Sequence, residues 1–340
     1  MGKRSTGRPT LADVAQRAGM SKAAVSMVLN DRPGSRVSAD AARRIREAAA
    51  ALDYRPNPAA QSLRRGTTQT IGFISDEVTI TRYASGMIRG VLDAARANGH
   101  IVLMSETGDQ HDIASAARAM TDRRVDGLLI GLMAARLIDA PDVPPGLPVV
   151  ILNGMSSQGH PCVLPDESAA GEAVARYLLD RGHRSIGIIG DLPEIASDPR
   201  RSVTIADRFA GIRRALADAD VDARCVELDA WGPQIGYDHT HELLDAHLTI
   251  TALIAGNDSV AFGIYQALAE RNLKVAQDIS VISFDDEEFA AIQRPGLTTA
   301  RLPYEDMATC GVDMLLGRRE PEHLRLPMPL IQRASVADVS

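Results

Sequence analysis

The sequence predicts an α/β protein in which a small, all-helical N-terminal head precedes a larger body built on parallel β-sheets. Three observations lead to this prediction. A helix–turn–helix pattern occupies Thr10 to Asn30, strand-like apolar runs alternate with amphipathic helices from Thr70 onward, and charge is divided unevenly between the two parts. A chain of 340 residues has room for one small module and one large one.

Positive charge is concentrated at the N-terminus. Residues 1–65 contain 13 Lys or Arg and 5 Asp or Glu, a net charge of +8, whereas the remaining residues contain 24 and 39, a net charge of −15. A basic head on an acidic body indicates that only the head meets a polyanion.

The cysteines and the N-terminus bear on the cellular compartment. Cys162, Cys225 and Cys310 are widely separated, so they offer neither a metal-binding spacing nor a disulfide framework. The N-terminal residues MGKRSTGRPT contain no apolar run, and no stretch of about 18 apolar residues occurs. We therefore expect a cytoplasmic protein with reduced thiols and without a metal or cofactor.

Two short helices are predicted at the start of the head. Thr10 is placed to cap the first helix, with Asp13 completing a capping box, and Gly19 can end it in a left-handed conformation. Ser21 is placed to cap the second helix. The apolar faces are Leu11, Val14, Ala15 and Ala18 in the first helix, and Ala24, Val25, Val28 and Leu29 in the second. This arrangement is the motif that lays its second helix in the major groove of DNA.

A third helix and a short proline-containing segment follow. Ser38 can cap a helix over 39–52, which carries Arg43, Arg44 and Arg46 on its polar side. The segment NPAAQSLRRG begins with residues that favour a helix start, yet it is too short to be stable by itself in water. It is either a helix that orders on binding or a flexible linker.

From Thr70 the pattern is that of wound parallel sheets. Apolar runs such as TIGFIS, DGLLIG and SIGIIGD alternate with helical stretches such as MIRGVLDAARANGH. About ten strand candidates predict two parallel sheets side by side, with a break near Leu164-Pro165.

Polar residues at strand ends are candidates for a ligand site, because ligands of open parallel sheets lie beyond the carboxyl ends of the strands. They are Asp76, Glu77, Asn153, Asn257, Asp258, Asp285 and Asp286, together with Arg208 and the single tryptophan, Trp231. Carboxylates, amides and an arginine can bind neighbouring hydroxyls, and an aromatic face can cover a pyranose ring, so this set favours a sugar. Two alternatives stay open: Asp258 and Asp286 cap the helices that follow them, and Trp231 packs in a lid.

The stretch TLADVAQRAGMSKAAVSMVLN, followed by VSADAARRIREAAAALDYRPNPAAQSLRRG, resembles the lactose-repressor (LacI/GalR) family of bacterial transcription regulators. Family-like stretches recur to about Val336. The resemblance implies a DNA-binding domain over 1–56, a hinge helix and linker over 57–69, and an effector-binding and dimerisation domain over 70–340. It also implies a body like a periplasmic sugar-binding protein, crossed by three strands, with lobe one at 70–164 and 296–322 and lobe two at 165–295 and 323–336.

In the head, the early residues of the second helix are expected to touch base edges. These are Lys22, Ala23, Ala24 and Met27, while Ser21, Ser26 and Asn30 suit phosphate contacts and Thr10 completes the expected contact set. Family members usually carry threonine at the position of Ala24 and arginine at that of Met27, so the operator is expected to differ from the usual one. In the hinge segment, the resemblance makes Leu63 the residue that wedges between base pairs of the minor groove, next to Asn57 and the close-packed Ala60.

In the body, the resemblance assigns effector contacts to Arg208, Asp285 and Asn257, and stacking on the sugar to Trp231. Asn153 stands where one family member has an effector-side acidic residue. Asp76 follows the first strand, and Tyr83, with Arg82, lies in the loop after it. That loop, TRYAS, differs from the commoner asparagine–proline–phenylalanine form, so Tyr83 is expected to influence effector specificity.

Together these features predict a ligand-responsive regulator, most simply a repressor, that binds a palindromic DNA operator as a homodimer with a sugar or sugar derivative in the cleft between its lobes. Two helix–turn–helix units are needed because one reads few base pairs. No leucine heptads follow the last strand, which favours a dimer over a tetramer. A purine or another non-sugar effector stays open.

Other functional classes have less support. The sequence contains no glycine-rich phosphate motif, nucleophile elbow or zinc-binding spacing. The adjacent Asp285 and Asp286 would point to different sides of a strand end, unlike an acid/base pair held across a cleft. We therefore expect no enzyme. The alternative is a sugar-binding receptor that does not bind DNA.

Overall fold

The computed structural model describes residues 9–30, 37–55, 62, 66–79, 85–108, 112–246 and 249–339. Contacts between residues divide the chain into two units, Met1–Thr68 and Gln69–Ser340. Each unit has its own hydrophobic core.

The first unit contains a three-helix head. Its helices are α1 (Leu11–Ala18), α2 (Lys22–Leu29) and α3 (Ala39–Ala51). Thr10 and Asp13 form the predicted capping box, Gly19 ends α1 with φ at 66°, and the Ser21 hydroxyl accepts the N–H of Ala24. The head core consists of the predicted apolar positions Val14, Ala15, Ala18, Val25 and Val28, together with Ile45, Ala48 and Ala49 of α3. The predicted helix–turn–helix is thus confirmed.

The second unit is built on two six-stranded sheets. Strands β1 to β6 are Thr70–Asp76, Ile101–Glu106, Gly127–Ile138, Val149–Ser156, Cys162–Pro165 and Ile186–Asp191, and β7 to β12 are Arg224–Glu227, Ala252–Ala255, Ser280–Asp285, Thr298–Arg301, His323–Leu326 and Leu330–Ile331. The first sheet has the order β11-β5-β4-β3-β1-β2 and is parallel throughout. The second has the order β12-β10-β9-β8-β6-β7, with one antiparallel pair between β10 and β12.

Helices cover both sheets, as the buried, apolar central strands require. They are α4 (Ser85–Ala97), α5 (Ile113–Asp122), α6 (Glu167–Leu179), α7 (Pro193–Ala196), α8 (Ile205–Asp218), α9 (Pro233–Ala246), α10 (Asp258–Glu270), α11 (Glu288–Ile292) and α12 (Tyr304–Leu315). None of the helices in the described ranges has the length and apolar character needed to span a membrane. The predicted body of two parallel sheets is confirmed.

The predicted lobe boundaries near the C-terminus were wrong. The prediction placed 296–322 in lobe one, but β10 pairs with β9, and the chain passes to the first sheet only after Arg301. It placed 323–336 in lobe two. Within that range β12 does pair with β10 in the second sheet, but β11 pairs with β5, His323 opposite Cys162, and so belongs to the first sheet. Hydrogen bonding between strands far apart in sequence decides sheet membership, and a local pattern does not contain that information.

The second half of strand β3 stays paired with β4 and also contacts the other lobe. Its register with β4 shifts between Gly131 and Arg136, and we call Leu132–Ile138 the β3 extension. The N–H of Leu137 donates to the carbonyl oxygen of Pro199 at 2.8 Å. The N–H of Val203 donates to the carbonyl oxygen of Ala135 at 2.6 Å. These two backbone hydrogen bonds join the lobes along one side of the space between them.

Helices α9 and α10 approach each other so closely that only glycine fits at their contact. A Cβ atom on Gly263 would lie 1.9 Å from the Pro233 carbonyl oxygen and 2.5 Å from the backbone nitrogen of Tyr237. Both neighbours are backbone atoms, which cannot move aside as a side-chain tip can.

We expect Gly263→Ala to lower the free energy of unfolding by about 1–3 kcal/mol or more, because the two helices must separate. Gly232→Ala is the matched control, since a Cβ there meets no atom within 4 Å. Chemical denaturation of the two variants measures the difference. Equal stability of both variants would show that α9 and α10 are not packed this closely.

Candidate functional site

The second helix of the head presents one face to solvent. Ser21, Lys22 and Ala23 are exposed at its start, and Met27, about one turn later, is 36% exposed. Ala24 is half-buried. The residues expected to read base edges are therefore accessible at the surface of the head.

Two polar residues of the head already have partners within it. The side-chain nitrogen of Asn30 donates to the backbone oxygen of Ser26 at 2.6 Å and to its hydroxyl at 3.3 Å, so a phosphate contact would replace the longer of these two bonds. Arg43 pairs with Asp40 at 2.5 Å and with Glu47 at 3.0 Å. Because such exposed pairs are worth only about 0–1 kcal/mol, Arg43 can exchange its carboxylates for phosphate.

Several predicted site residues lie outside the described residues. They are Asn57, Ala60 and Leu63 of the hinge segment, and Arg82 and Tyr83 of the loop after β1. Their proposed roles stay predictions from the sequence.

A cavity of about 300 Å³ lies in the body, at the carboxyl ends of strands from both sheets. Five of the predicted effector residues line it: Asn153, Arg208, Trp231, Asn257 and Asp285. They come from both lobes and from segments that are far apart in sequence, and the fold brings them to one place.

Arg208 is the centre of the polar wall of this cavity. Its side chain is 3% exposed, and its Nε and Nη2 donate to the two carboxylate oxygens of Glu167 at 2.6 and 2.7 Å. Nη1 donates to the carbonyl oxygen of Gly256 at 2.5 Å, and Nη2 also reaches Asp285 at 3.5 Å. The buried guanidinium thus joins α6, α8 and the ends of β8 and β9.

Asp285 ends β9 in an unusual backbone conformation. Its φ is 105°, a region that residues with a Cβ rarely adopt, and its side chain is 7% exposed. Burial raises the pKa of its carboxyl to about 6, although the neighbouring Arg208 acts in the opposite direction. The carboxylate is therefore ionised at neutral pH and takes up a proton in mild acid.

The two cavity asparagines are oriented by bonds to the protein backbone. Asn153, at φ 55°, donates its side-chain N–H groups to the carbonyl oxygens of Leu132 and Met133 at 3.0 and 2.9 Å. The side-chain oxygen of Asn257 caps α10 by accepting the N–H of Val260 at 2.9 Å. These bonds leave Asn153 with an oxygen acceptor and Asn257 with a nitrogen donor for a ligand.

Trp231 both lines the cavity and is held in place by the fold. Its indole N–H donates to the carbonyl oxygen of Gly190 at 2.7 Å, and the Arg208 guanidinium carbon lies 5.1 Å from its ring centroid. The indole is partly buried and packs against two core clusters, so packing and a place in the cavity wall coexist in this residue.

Asp76 does not belong to the cavity wall, which corrects its expected role. Its side chain is fully buried, accepts the Thr107 hydroxyl at 2.6 Å and forms an ion pair with Arg136. These partners hold the carboxylate within lobe one.

Asp258 and Asp286 are held by structural partners and do not line this cavity. Asp258 accepts the hydroxyls of Ser283 and Thr299 and the N–H of Glu287, at 2.7 to 2.8 Å, while Asn257 provides the cap of α10. Asp286 pairs with Arg301 and Arg333 at 2.7 and 2.6 Å. These carboxylates therefore fasten β9 to β10 and to the C-terminal segment.

Glu167 was missed by the sequence analysis. It is the first residue of α6, two residues after the end of β5, and its side chain is 3% exposed. The rule that ligands lie beyond strand ends would have included it, but its importance arises from Arg208, 41 positions away. Tyr304 and Leu302 also line the cavity without having been predicted.

A second, larger cavity of about 620 Å³ lies beyond the wall formed by Asp285, Leu302 and Tyr304. Its other lining residues include Asp286, which already has two arginine partners, and Asp285 is the one predicted effector residue within the described ranges that reaches it. We therefore take the smaller cavity as the candidate site. Within the described ranges, the acidic, histidine and cysteine side chains form no group of three or more that could hold a metal ion.

Comparison with known families identifies both parts of the chain. Residues 10–57 match the family described as "Bacterial regulatory proteins, lacI family", and residues 175–336 match the family described as "Periplasmic binding protein-like domain".

Individual proteins resemble the whole chain. An HTH-type transcriptional repressor PurR of Pectobacterium carotovorum subsp. carotovorum is 32% identical, with 97% of each chain covered. The ribose operon repressor of Escherichia coli K12 is 31% identical, with 96% of this chain and 99% of that protein covered. A solved structure of the lac repressor dimer, bound to operator and the anti-inducer ONPF, has a TM-score of 0.77 at 26% identity, covering 97% of this chain and all of that one.

We expect Arg208→Met to lower the free energy of unfolding by about 3–5 kcal/mol, because it leaves the carboxylates of Glu167 and Asp285 buried without their counter-charge. Arg214→Met is the control, because Arg214 lies on the same helix, is half exposed and pairs with Glu172; its loss should cost about 0–1 kcal/mol.

The deficit of Arg208→Met should be larger at pH 8 than at pH 5. Arg208 lowers the pKa of Asp285, so its removal raises that pKa further above the unfolded value, and the native state then binds a proton more readily in acid. Denaturation curves at both pH values measure this, and a deficit that grows toward low pH would contradict the ion-pair arrangement.

Proposed function

Since the chain belongs to the lacI family of bacterial regulatory proteins, we propose that it represses transcription as a homodimer on a palindromic operator, and that a sugar or sugar derivative in the cleft changes its affinity for that operator. The observation that carries the proposal is the presence, in one chain, of a helix–turn–helix head and of a cavity on which Asn153, Arg208, Trp231, Asn257 and Asp285 converge. A sugar-binding receptor would have no use for the first of these two features.

In the head, Lys22, Ala23, Ala24 and Met27 are proposed to contact base edges in the major groove. Ser21, Ser26 and Asn30, with Thr10 at the start of α1, are proposed to fix the register on the phosphates. Asn57, Ala60 and Leu63 are proposed to form the minor-groove contact of the hinge, with Leu63 as the wedge. The exposure of Lys22, Ala23 and Met27 supports this assignment.

Exposed apolar side chains on lobe one support a homodimer. Leu92 in α4 is 42% exposed, and Ile101 and Met104 in the edge strand β2 are 68% and 47% exposed. An uncovered edge strand with large apolar side chains invites pairing or packing with another chain. A second copy would cover this surface and bring two heads to the two half-sites of a palindrome.

Control of DNA binding is proposed to pass through the angle between the lobes. An effector that bridges Asn153 of lobe one and Asp285 of lobe two favours one angle over another. A coupling of about 1–3 kcal/mol between the two sites would change operator affinity by roughly 5–150-fold.

We expect Lys22→Ala to weaken binding to a selected operator by about 1–3 kcal/mol, because a donor to the major groove is lost. Lys274→Ala is the control, since Lys274 is exposed on the acidic body and should not meet DNA. Gel-shift titrations of both variants on one selected operator and on an unrelated fragment give the comparison. Unchanged operator binding by Lys22→Ala would remove α2 from the interface.

We expect Asp285→Ala to abolish the response of operator binding to effector while leaving operator binding without effector intact. A panel of pentoses, hexoses and nucleobases, screened by thermal shift, supplies the effector for this test. Asp222→Ala serves as the control, because that carboxylate is 90% exposed. If Asp285→Ala lost both operator binding and the response to effector while still folded, the assignment of DNA binding to the head and of effector binding to the cleft would be wrong.

A further inference from the structure

We propose that the inner end of the cavity selects an uncharged polyhydroxyl group against an anionic one, and that Glu167 sets this selectivity by occupying Arg208. The inference rests on the proposed function in one respect, namely that this cavity is the effector site.

Arg208 is not available to clamp an anion. A guanidinium binds phosphate or carboxylate best through two parallel N–H groups. Here such a pair, Nε and Nη2, is already directed at the carboxylate of Glu167, at 2.6 and 2.7 Å, and Nη1 donates to the Gly256 carbonyl oxygen. The ring of Phe284 lies 4.4 Å from the guanidinium carbon, within the range of a cation–π interaction that adds to the hold on Arg208.

The buried charge at this end of the cavity is negative. One guanidinium, Arg208, faces two carboxylates, Glu167 and Asp285, and the three side chains are 3%, 3% and 7% exposed. When both carboxylates are ionised, the net charge is −1, so an incoming anion would lose its hydration and meet a charge of its own sign. Arg201 also lines the cavity but is exposed, and an exposed cation offsets little of that cost.

Hydroxyl groups fit the same surface. A hydroxyl can donate to Asp285 or to the side-chain oxygen of Asn153 and accept from the side-chain nitrogen of Asn257. Trp231 and Leu192 provide an apolar surface for ring carbons. A volume of about 300 Å³ is at the small end for ligand pockets, which suits one sugar ring.

Trp231 allows the charge at the cavity to be measured without knowing the effector. It is the single tryptophan of the chain and lies against Arg208. Collisional quenching of its fluorescence measures the access of an anion with iodide, of a cation with caesium and of a neutral molecule with acrylamide. The measurements are made at constant ionic strength and relative to N-acetyltryptophanamide. For the wild-type chain we expect iodide to quench less effectively than acrylamide.

The test compares the wild-type chain, Glu167→Gln and Glu172→Gln. Glutamine keeps the shape of Glu167 and removes its charge, so the iodide-to-acrylamide ratio should rise by about twofold or more in Glu167→Gln. Glu172 lies on the same helix but pairs with Arg176 and Arg214 at the surface, so Glu172→Gln should leave the ratio unchanged. Thermal unfolding of each variant checks that it is folded.

Titration of the same fluorescence with matched compounds tests selectivity directly. The pairs are D-ribose with D-ribose 5-phosphate, and D-glucose with D-glucose 6-phosphate and D-gluconate. Where a pair binds the wild-type chain, the affinity for the neutral member should be about tenfold or more higher than that for its anionic counterpart. Glu167→Gln should reduce this preference.

Two results would overturn the proposal. One is equal access of iodide and acrylamide to Trp231 in the wild-type chain, with no change in Glu167→Gln. The other is an anionic member that binds more tightly than its neutral counterpart and still does so in Arg201→Gln. Neither measurement involves DNA, so failure of operator binding would contradict the proposed function and leave these results unaffected.

Discussion

The buried guanidinium of Arg208 is the constraint on which the cleft depends. It links the first residue of α6, the first turns of α8, the backbone at the end of β8 and the carboxylate at the end of β9. A charge this deeply buried persists only when its hydrogen bonds are satisfied and counter-charges lie beside it. Removing any one partner would disturb all four segments, so the polar wall of the cavity behaves as a single unit.

The lobes are joined by more than the chain crossings. The β3 extension donates one backbone hydrogen bond to Pro199 and accepts one from Val203. Close by, Arg200 pairs with Asp139 at 3.1 Å. On the other side, Arg325 in β11 pairs with Asp207 in α8 at 2.8 Å. Both contacts connect lobe one to the segments that carry the cavity residues of lobe two, which gives ligand binding a direct path to the relative position of the lobes.

Local patterns predicted the head almost completely, because the residues that form its caps, its left-handed glycine and its apolar faces lie within a few positions of one another in the sequence. The alternation of strands and helices likewise predicted two parallel sheets. Strands β10 and β11 were assigned to the wrong lobes, since their partners are chosen by pairing with β9 and β5 and by the hydrogen bond from Thr299 to Asp258. Strand ends predicted the cavity residues Asn153, Asn257 and Asp285, and the family resemblance supported Arg208 and Trp231. Neither predicted that Asp76 would turn to Arg136, or that Glu167 would pair with Arg208, because those partners are distant in sequence.

The β3 extension also affects how fast the walls of the cavity can separate. Met133, Ala134 and Ala135 form part of one wall of the cavity, and Ser202, Thr204 and Ile205 form part of the facing wall, next to the hydrogen bond from Val203 to Ala135. Separation of these walls breaks backbone bonds between lobes and is therefore a collective motion, which in proteins takes microseconds to milliseconds rather than nanoseconds. A molecule that left past this rim would have to wait for that motion. Residence time, as distinct from affinity, is consequently a property that substitutions in this strand could tune.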